Sequence, residues 1–194
     1  MLRIIQNRSS AGAKSYYSKA DYYTEGQELA GYWGGKGAAL LGLEGQTEQR
    51  DFEALCDNLD PRLGGRLSPR TKSDRTIGYD FNFSVPKGVS LAYLLQGDER
   101  IQAPFQGAVR ETMEDIEAEV KTRVRTGGRD DERVTGNLAW GEFVHLTARP
   151  VEGIPDPHLH AHCFVFNQTS DGQEEHWKAA QFTSSASTLL TIFT

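Results

Sequence analysis

The stretch His158-Leu159-His160-Ala161-His162-Cys163-Phe164-Val165-Phe166 alternates strictly between two kinds of side chain. Successive side chains of a β-strand point to opposite faces, so the extended segment carries histidines and then phenylalanines on one face. The other face carries only small or apolar side chains. The imidazoles would lie roughly 6 to 7 Å apart along the strand. The pattern therefore predicts a β-strand that begins with a row of metal-ligand side chains.

A second predicted strand, Ala139 to Thr147, precedes this one in the chain. The connection, residues 148–157, contains three prolines and a glycine, which is typical of a long loop. We therefore expect the two strands to form an antiparallel hairpin. Because a strand has a period of two, Phe143 and His145 share one face. Pairing would bring His145 to the same face as His160 and His162.

The rest of the chain contains further strand and helix patterns. Leu2 to Ile5 predicts a short first strand, and we expect a helix in the polar segment that follows it. Apolar side chains from Thr47 to Leu59 recur at spacings of three and four, as in an amphipathic helix. Tyr79 to Ser84 alternates between aromatic and polar residues, which predicts a half-buried strand with Asp80 on its polar face. A long helix is expected after Pro104, with an apolar stripe of Phe105, Val109, Met113, Ile116, Val120 and Val124.

These elements predict an α+β fold with a central antiparallel sheet flanked by helices. The chain has 194 residues, 38% of them hydrophobic and 25% charged, which suits one globular domain with a real core. No stretch resembles a signal sequence or reaches the length of a membrane span, so we expect no membrane segment and a cytoplasmic location. Cys56 and Cys163 lie far apart in apolar patterns and are expected to be buried thiols.

The formal net charge of −6 argues against a general affinity for nucleic acid, which depends on Lys and Arg neutralising phosphates. Any DNA contact has to be local. The basic segment from Arg62 to Arg75 carries five basic residues and a single acid, Asp74. The predicted DNA-binding residues are Arg62, Arg66, Arg70, Lys72 and Arg75. A solvated surface loop accounts for the same charges equally well, so both interpretations stay open.

The histidines His145, His158, His160 and His162 are the candidates for metal chemistry. Two or three neutral imidazoles bind a divalent transition metal, and such a site keeps positions for a phosphate oxygen. Three alternating histidines on one strand allow two ligand registers. A histidine-rich strand without a ligand role is the alternative interpretation.

A candidate nucleophile lies upstream, in the tyrosine pairs Tyr16-Tyr17 and Tyr22-Tyr23. Their polar surroundings are unusual for core residues, although a tyrosine-rich surface helix is an alternative. A phenol with a pKa near 10 is a poor nucleophile at neutral pH unless a base or a metal-bound electrophile assists it. Asp80 is the candidate proton acceptor.

Five motifs in a fixed order resemble those of the conjugative relaxases of the TrwC and TraI kind, which are HUH endonucleases. The motifs are Tyr16-Tyr17 with Tyr22-Tyr23, Gly34 to Leu43, Tyr79 to Ser90, His145 to Arg149 and Asp156 to His162. Together they cover residues 1 to about 178. The resemblance implies a central antiparallel sheet flanked by helices.

The resemblance also implies an activity, namely nicking and rejoining single-stranded DNA at a plasmid transfer origin. A tyrosine attacks the scissile phosphate and leaves a 5′-phosphotyrosine and a free 3′-OH. The matching positions give His145, His160 and His162 as metal ligands, Asp80 as the aspartate that assists the tyrosine, Tyr16 or Tyr17 for the first cut and Tyr22 or Tyr23 for a second. The implied cofactor is a divalent ion, Mg²⁺ or Mn²⁺. The implied partners are origin DNA and accessory relaxosome proteins.

The chain departs from the family pattern at several points. The loop between His145 and His160 is longer than usual, and His158 stands where a polar residue other than His is expected, so a ligand set that includes His158 is an alternative. Lys87-Gly88-Val89-Ser90 replaces the usual Lys-Ser-Val-Ser. The chain stops at Thr194, whereas relaxase domains continue. We therefore expect a relaxase domain over residues 1–178 and a divergent or truncated tail over 179–194.

Three other functions are compatible with the same residues. A rolling-circle replication initiator shares the histidine and tyrosine chemistry. A relaxase-derived protein could bind DNA without catalysis, and a metal-dependent hydrolase could use water in place of a tyrosine. A helicase function is not expected, because the chain has no Walker-type phosphate-binding motif.

Overall fold

A computed structural model of the chain describes residues 1–18, 31–69, 72, 74–148 and 155–182, without the side chains of residues 15–18 and 126. The strands are β1 (Leu2–Asn7), β2 (Tyr32–Gly34), β3 (Gly78–Ser84), β4 (Lys121–Thr126), β5 (Arg129–Val134), β6 (Trp140–Thr147) and β7 (Pro157–Phe166). The helices are α1 (Ser10–Ser18), α2 (Lys36–Leu40), α3 (Gln49–Cys56), α4 (Lys87–Gln96) and α5 (Gln102–Ala118), and a 3₁₀ turn, Glu99–Ile101, leads into α5. No helix within these described ranges is long and apolar enough to cross a membrane.

The main sheet has five strands in the order β1-β3-β7-β6-β2, and each neighbouring pair is antiparallel. The predicted α+β fold and the predicted hairpin between β6 and β7 are therefore confirmed. β7 lies at the centre of the sheet, between β3 and β6. Its central position explains why the stretch from Leu159 to Phe166 is buried on both faces.

The two faces of the sheet are covered by different helices. On one face, Val109, Met113 and Ile116 of α5 pack against sheet residues such as Phe81 and Val165. On the other face, α1, α2 and α3 cover one end of the sheet through a second apolar cluster. Phe52 of α3 is its centre, with ring centroids 6.0 Å from Phe143, 5.4 Å from Phe164 and 5.0 Å from Phe166.

The predicted amphipathic helix from Thr47 to Leu59 exists as α3 but is shorter, ending at Cys56. The chain leaves the helix at Asn58, which has a φ of 65°, a left-handed conformation that Asn tolerates better than most residues. The Asn58 side chain then bonds both backbone groups of Ser68 and the amide of Gln168. Both cysteines are buried free thiols, as expected, and burial raises the pKa of Cys56 to about 12.

The predicted long helix is wrong beyond residue 118, where α5 ends. Val120 follows the helix, and Val124 belongs to β4, which pairs with β5 in a separate two-stranded sheet. The valines continue the helical spacing by coincidence. Gly127 and Gly128 both have positive φ, which favours the tight turn of a β-hairpin, and the β4–β5 hairpin therefore forms in place of a longer helix.

The sequence patterns did not predict β2, α2 or α4 either. The turn from β2 into α2 depends on close backbone packing rather than on a hydrophobic period. Gly35 has a φ of 93°, and a Cβ at Gly37 would lie 2.5 Å from the carbonyl carbon of Leu138. Only glycine fits such a backbone approach without displacement.

The predicted tail over 179–194 begins with residues that pack on the body of the protein. Gln181 forms an isolated antiparallel β-bridge with Lys121 of β4. Ala180 is buried, and the ring centroids of Phe182 and Tyr79 are 5.1 Å apart. Residues 183–194 lie outside the described residues. The boundary at residue 178 stays a prediction.

A buried carboxylate joins α5 to the β2–α2 turn and to the start of β6. Glu117 is only 2% exposed, and its Oε1 accepts hydrogen bonds from the backbone N–H groups of Lys36, at 2.7 Å, and Leu138, at 2.8 Å. A buried N–H that loses its acceptor is costly, so this side chain stabilises the edge of the sheet.

We predict that Glu117→Ala lowers the free energy of unfolding by about 2 to 4 kcal/mol, because two backbone donors lose their acceptor. Glu117→Gln keeps an acceptor oxygen and should lose less. Urea denaturation followed by circular dichroism measures the difference. Glu111→Ala, an exposed change on the same helix, is the control and should stay within about 0.5 kcal/mol of the unchanged protein. A similarly small effect for Glu117→Ala would contradict the structural role.

Candidate metal centre

The hairpin register brings three histidines together on one face of the sheet. His145 of β6 lies directly opposite His160 of β7, and Phe143 lies opposite His162. The ring centroids of His145, His160 and His162 are 5.0 to 5.4 Å apart. The predicted meeting of these side chains is therefore confirmed. The cluster lies on the same face as the Phe52 cluster, toward the opposite end of β7.

Two of the three imidazoles are fixed through their Nδ1 atoms. His160 Nδ1 lies 2.7 Å from the carbonyl oxygen of His158, and His162 Nδ1 lies 3.0 Å from each carboxylate oxygen of Asp80. Because carbonyl and carboxylate oxygens accept hydrogen bonds, Nδ1 carries the proton in both rings. Nε2 is then the nitrogen that carries the lone pair of each ring, and a metal ion would bind there.

Asp80 lies on the predicted face of β3, away from Tyr79 and Phe81. Asp80 is only 8% exposed, and its carboxylate is paired with the His162 ring. A carboxylate behind a ligating histidine is a common arrangement at metal sites, because it fixes the ring and raises its basicity. Asn82, two residues along the same strand face, has its Nδ2 3.4 Å from His162 Nε2. Asn82 was not predicted as a site residue, although the alternation of β3 puts it on the same face as Asp80.

The protonation states favour metal binding. Burial, followed by the neighbouring His162 and His160, lowers the pKa of His145 to about 3. Burial also lowers the pKa of His160 to about 4, although the hydrogen bond to His158 opposes the shift. Both rings are therefore neutral at pH 7. Neutral imidazole is the form that coordinates metals.

The spacing of the rings is close to that needed for one shared ion. Imidazole nitrogens about 2.0 to 2.1 Å from an ion, at angles of about 90 to 110°, put ring centroids roughly 4.5 to 5.2 Å apart. The observed separations are at or just above this range. Among the described residues, no group of three or more His, Cys, Asp or Glu side chains is arranged so that it could hold a metal ion as it stands. The fit therefore rests on the donor types and their fixed tautomers.

His158 is half-buried and stacks on His160, with ring centroids 4.5 Å apart and an angle of 18° between the planes. Burial and the nearby Lys87 lower the pKa of His158. Its carbonyl oxygen holds the His160 ring, so His158 contributes to the cluster through its backbone. The ligand set His145, His160 and His162 stays a prediction, and so does the alternative that includes His158.

The structure describes only part of the segment that carries the predicted tyrosine nucleophiles. Tyr16 and Tyr17 lie in α1, but their side chains are outside the described residues, as are Tyr22 and Tyr23 altogether. α1 is anchored to α3 because Ser10 Oγ and Lys14 Nζ both bond to the Asp57 carboxylate, at 2.9 and 2.6 Å. Ala13 of α1 is buried in the Phe52 cluster. The helix that carries the first tyrosine pair is therefore on the histidine face of the sheet.

The basic segment is not brought to the histidines. Its Leu67 packs in the Phe52 cluster with Phe166, six residues along β7 from His160, which is roughly 20 Å in a strand. Arg62, Arg66 and Lys72 are exposed, and Arg70 lies outside the described residues. Arg75 donates to the Cys56 carbonyl at the end of α3, which gives it a structural contact. A DNA-binding role for these five residues stays a prediction.

Comparison with known proteins adds a consistent set of relatives. Residues 10–191 match the family model of the TrwC relaxase. The multifunctional conjugation protein TraI of Escherichia coli strain K12 is 36% identical over 179 residues, which is 92% of this chain and 10% of TraI. The metal-bound structure of the conjugative relaxase TrwC in complex with oriT DNA is 34% identical, with a TM-score of 0.76, over 98% of this chain and 63% of that one.

The copper-bound TrwC complex with oriT DNA gives a TM-score of 0.80 at 33% identity, over 99% of this chain and 66% of that one. The chain thus spans about a tenth of the length of TraI and less than two thirds of the TrwC chains.

We predict that Asp80→Asn weakens the binding of Mn²⁺ by about 10- to 100-fold, because the neutral amide no longer orients and polarises the His162 ring. Isothermal titration calorimetry of the metal-stripped protein measures this affinity without any DNA. Asp115→Asn, an exposed change on α5, is the matched control. Equal affinities for Asp80→Asn and the unchanged protein would remove Asp80 from the metal centre.

Proposed function

Because the chain belongs to the TrwC relaxase family, we propose that it nicks and rejoins single-stranded DNA at a plasmid transfer origin through a 5′-phosphotyrosine. The observation that carries this proposal is the cluster of His145, His160 and His162 backed by Asp80, on the face of the sheet to which α1 is anchored. Support also comes from the relatives, since TrwC structures contain oriT DNA with and without metal.

In the proposed reaction, a tyrosine oxygen attacks the scissile phosphorus while the bond from phosphorus to the 3′-oxygen breaks. The phenol loses its proton and the departing 3′-oxygen gains one, so the products are a 5′-phosphotyrosine and a 3′-OH. Tyr16 or Tyr17 makes the first cut, and Tyr22 or Tyr23 a second. Because the phosphotyrosine keeps the energy of the broken bond, attack by a 3′-OH rejoins the strand without ATP.

Asp80 has two tasks in this proposal. It holds the His162 ring by accepting the Nδ1 proton, and each oxygen keeps further lone pairs that can accept the proton of the tyrosine. A carboxylate that is almost completely buried at the site is well suited to both tasks, because little bulk water competes for it.

His145, His160 and His162 would hold a divalent ion. When bound, the ion withdraws charge from a non-bridging phosphate oxygen and stabilises the charge that develops during the transfer. Between Mg²⁺ and Mn²⁺, three imidazole donors favour Mn²⁺, because Mg²⁺ prefers oxygen ligands. His158 is the alternative ligand.

The DNA strand is proposed to run from the histidine cluster toward the exposed basic residues Arg62, Arg66 and Lys72. Their phosphate contacts would give a local affinity that the net charge of −6 does not provide. Origin DNA is thus the proposed substrate, accessory relaxosome proteins are proposed partners, and the cytoplasm is the proposed location.

The central test is covalent capture of DNA. We expect the protein, mixed with Mn²⁺ and a single-stranded oligonucleotide carrying the candidate origin, to form an adduct that survives denaturing electrophoresis. Changing Tyr16, Tyr17, Tyr22 and Tyr23 together to Phe should abolish it, because Phe has no nucleophilic oxygen. Tyr32→Phe, a change of an exposed tyrosine in β2, is the matched control and should keep the adduct.

Other outcomes of the same experiment favour other functions. Binding without an adduct would favour a relaxase-derived protein that does not cut DNA. Cut products in the absence of an adduct would favour a hydrolase that uses water. An adduct with replication-origin DNA and none with transfer-origin DNA would favour a rolling-circle initiator.

We predict that His160→Ala or His162→Ala lowers the rate of adduct formation at least about 100-fold, because electrostatic stabilisation of the phosphate is lost. DNA affinity should change little, since most phosphate contacts lie elsewhere. Single-turnover gels measure the rate, and fluorescence anisotropy measures the affinity. His176→Ala, outside the cluster, is the control. A rate that is independent of divalent ions would overturn the metal proposal.

A further inference from the structure

The first residues of β7 extend beyond the end of β3. The last pair between these strands is Ser84 with His160, whereas β7 begins at Pro157. Leu159 is completely buried at this point. Its backbone N–H and C=O groups therefore need hydrogen-bonding partners that β3 does not provide.

Val85, just after β3, and the first turn of α4 provide these partners. Val85 N–H donates to the carbonyl of Leu159 at 3.3 Å, and Leu159 N–H donates to Ser90 Oγ at 3.0 Å. Ser90 is itself completely buried. Lys87 Nζ donates to the carbonyl of Pro157 at 2.8 Å. The segment from Val85 to Ser90 thus supplies the hydrogen bonds that a longer β3 would otherwise make to the start of β7. The Lys87-Gly88-Val89-Ser90 part of this segment had no predicted role.

The residue between these two anchored positions is His158. Its carbonyl oxygen accepts the Nδ1 proton of His160, and its ring stacks on the His160 ring at 4.5 Å. The backbone position of His158 therefore decides the tautomer and the rotation of His160. A small displacement at the start of β7 would turn Nε2 of His160 away from His145 and His162.

We propose that Lys87 and Ser90 are positioning residues for the histidine cluster: they fix Pro157 and Leu159, so that the His158 carbonyl holds His160 ready to bind a divalent ion. This inference rests on one part of the proposed function, namely that the histidine cluster binds a divalent ion. Both residues act on backbone atoms of β7, and through them on the His160 ring.

Lys87 also pairs with the carboxylate of Asp156 at 2.5 Å, but the two side chains are 49% and 63% exposed. An exposed ion pair contributes little to stability. A change at Lys87 is therefore expected to alter the metal site with little effect on the unfolding equilibrium. Ser90 differs, because its loss leaves the buried N–H of Leu159 without an acceptor and destabilises the fold as well.

The experiment compares Mn²⁺ binding, measured by calorimetry on the metal-stripped chain, with urea unfolding of the same variants. Lys87→Met keeps most of the aliphatic stem and removes the donor, and we expect the dissociation constant to rise about 10-fold with an unchanged unfolding midpoint. Lys87→Arg should bring it back to within about threefold of the unchanged protein, because a guanidinium can donate to the same carbonyl. Ser90→Ala should weaken both binding and stability.

Arg100→Met is the matched control, since Arg100 is an exposed cation just after α4 that pairs with Asp98, two residues away. An unchanged Mn²⁺ affinity in Lys87→Met would overturn the proposal. So would a variant with normal Mn²⁺ affinity and a raised KM for DNA, because Lys87 would then act on the substrate.

The two proposals fail in different assays. If the unchanged protein binds Mn²⁺ and the Lys87 variants bind it equally well, the positioning role is wrong whatever the protein does to DNA. If the unchanged protein forms no phosphotyrosine adduct while Lys87→Met still weakens Mn²⁺ binding, the positioning role holds and the proposed reaction is wrong.

Discussion

The antiparallel register between β6 and β7 is the constraint on which the rest of the site depends. It sets His145 opposite His160 and leaves Phe143 opposite His162, so three imidazoles share one face. Because side chains alternate along a strand, a slip of one residue would turn every histidine of β7 toward α5 and expose the apolar row. Burial of Leu159, Ala161 and Val165 against the α5 side therefore fixes the histidines on the other side.

The histidine face combines packing and chemistry along one strand. Toward its end, β7 presents Phe164 and Phe166, which pack under α3. Toward its beginning, it presents imidazoles whose Nδ1 atoms are held by Asp80 and by the His158 carbonyl. The rigid end holds the strand in place, and burial lowers the pKa of His160 on β7 and of His145 on β6, so these two rings are neutral at pH 7. A metal-binding arrangement is thus built on a strand that packing already immobilises.

Much of the fold could be predicted because the spacing of apolar side chains along the chain indicates strands and amphipathic helices directly. The β6–β7 hairpin, β3 and the amphipathic α3 follow from periods of two and of three to four. The prediction failed at Val120 and Val124, where a helical spacing continued into the β4–β5 hairpin, and at α2, where glycine contacts with Leu138 decide the turn. In these places, nonlocal packing or turn geometry outweighs the local pattern.

By itself, the sequence determined which residue types are available and which faces they share, so it predicted that His145 could meet His160 and His162. Only the tertiary structure decided that Asp80 holds His162, and that the start of β7 is anchored by Lys87 and Ser90. The physical reason is that alternation along a strand is a local property of the chain. Which backbone groups remain without a partner at the end of a strand depends on how its neighbours end, and the chain meets that need with residues about 70 positions away.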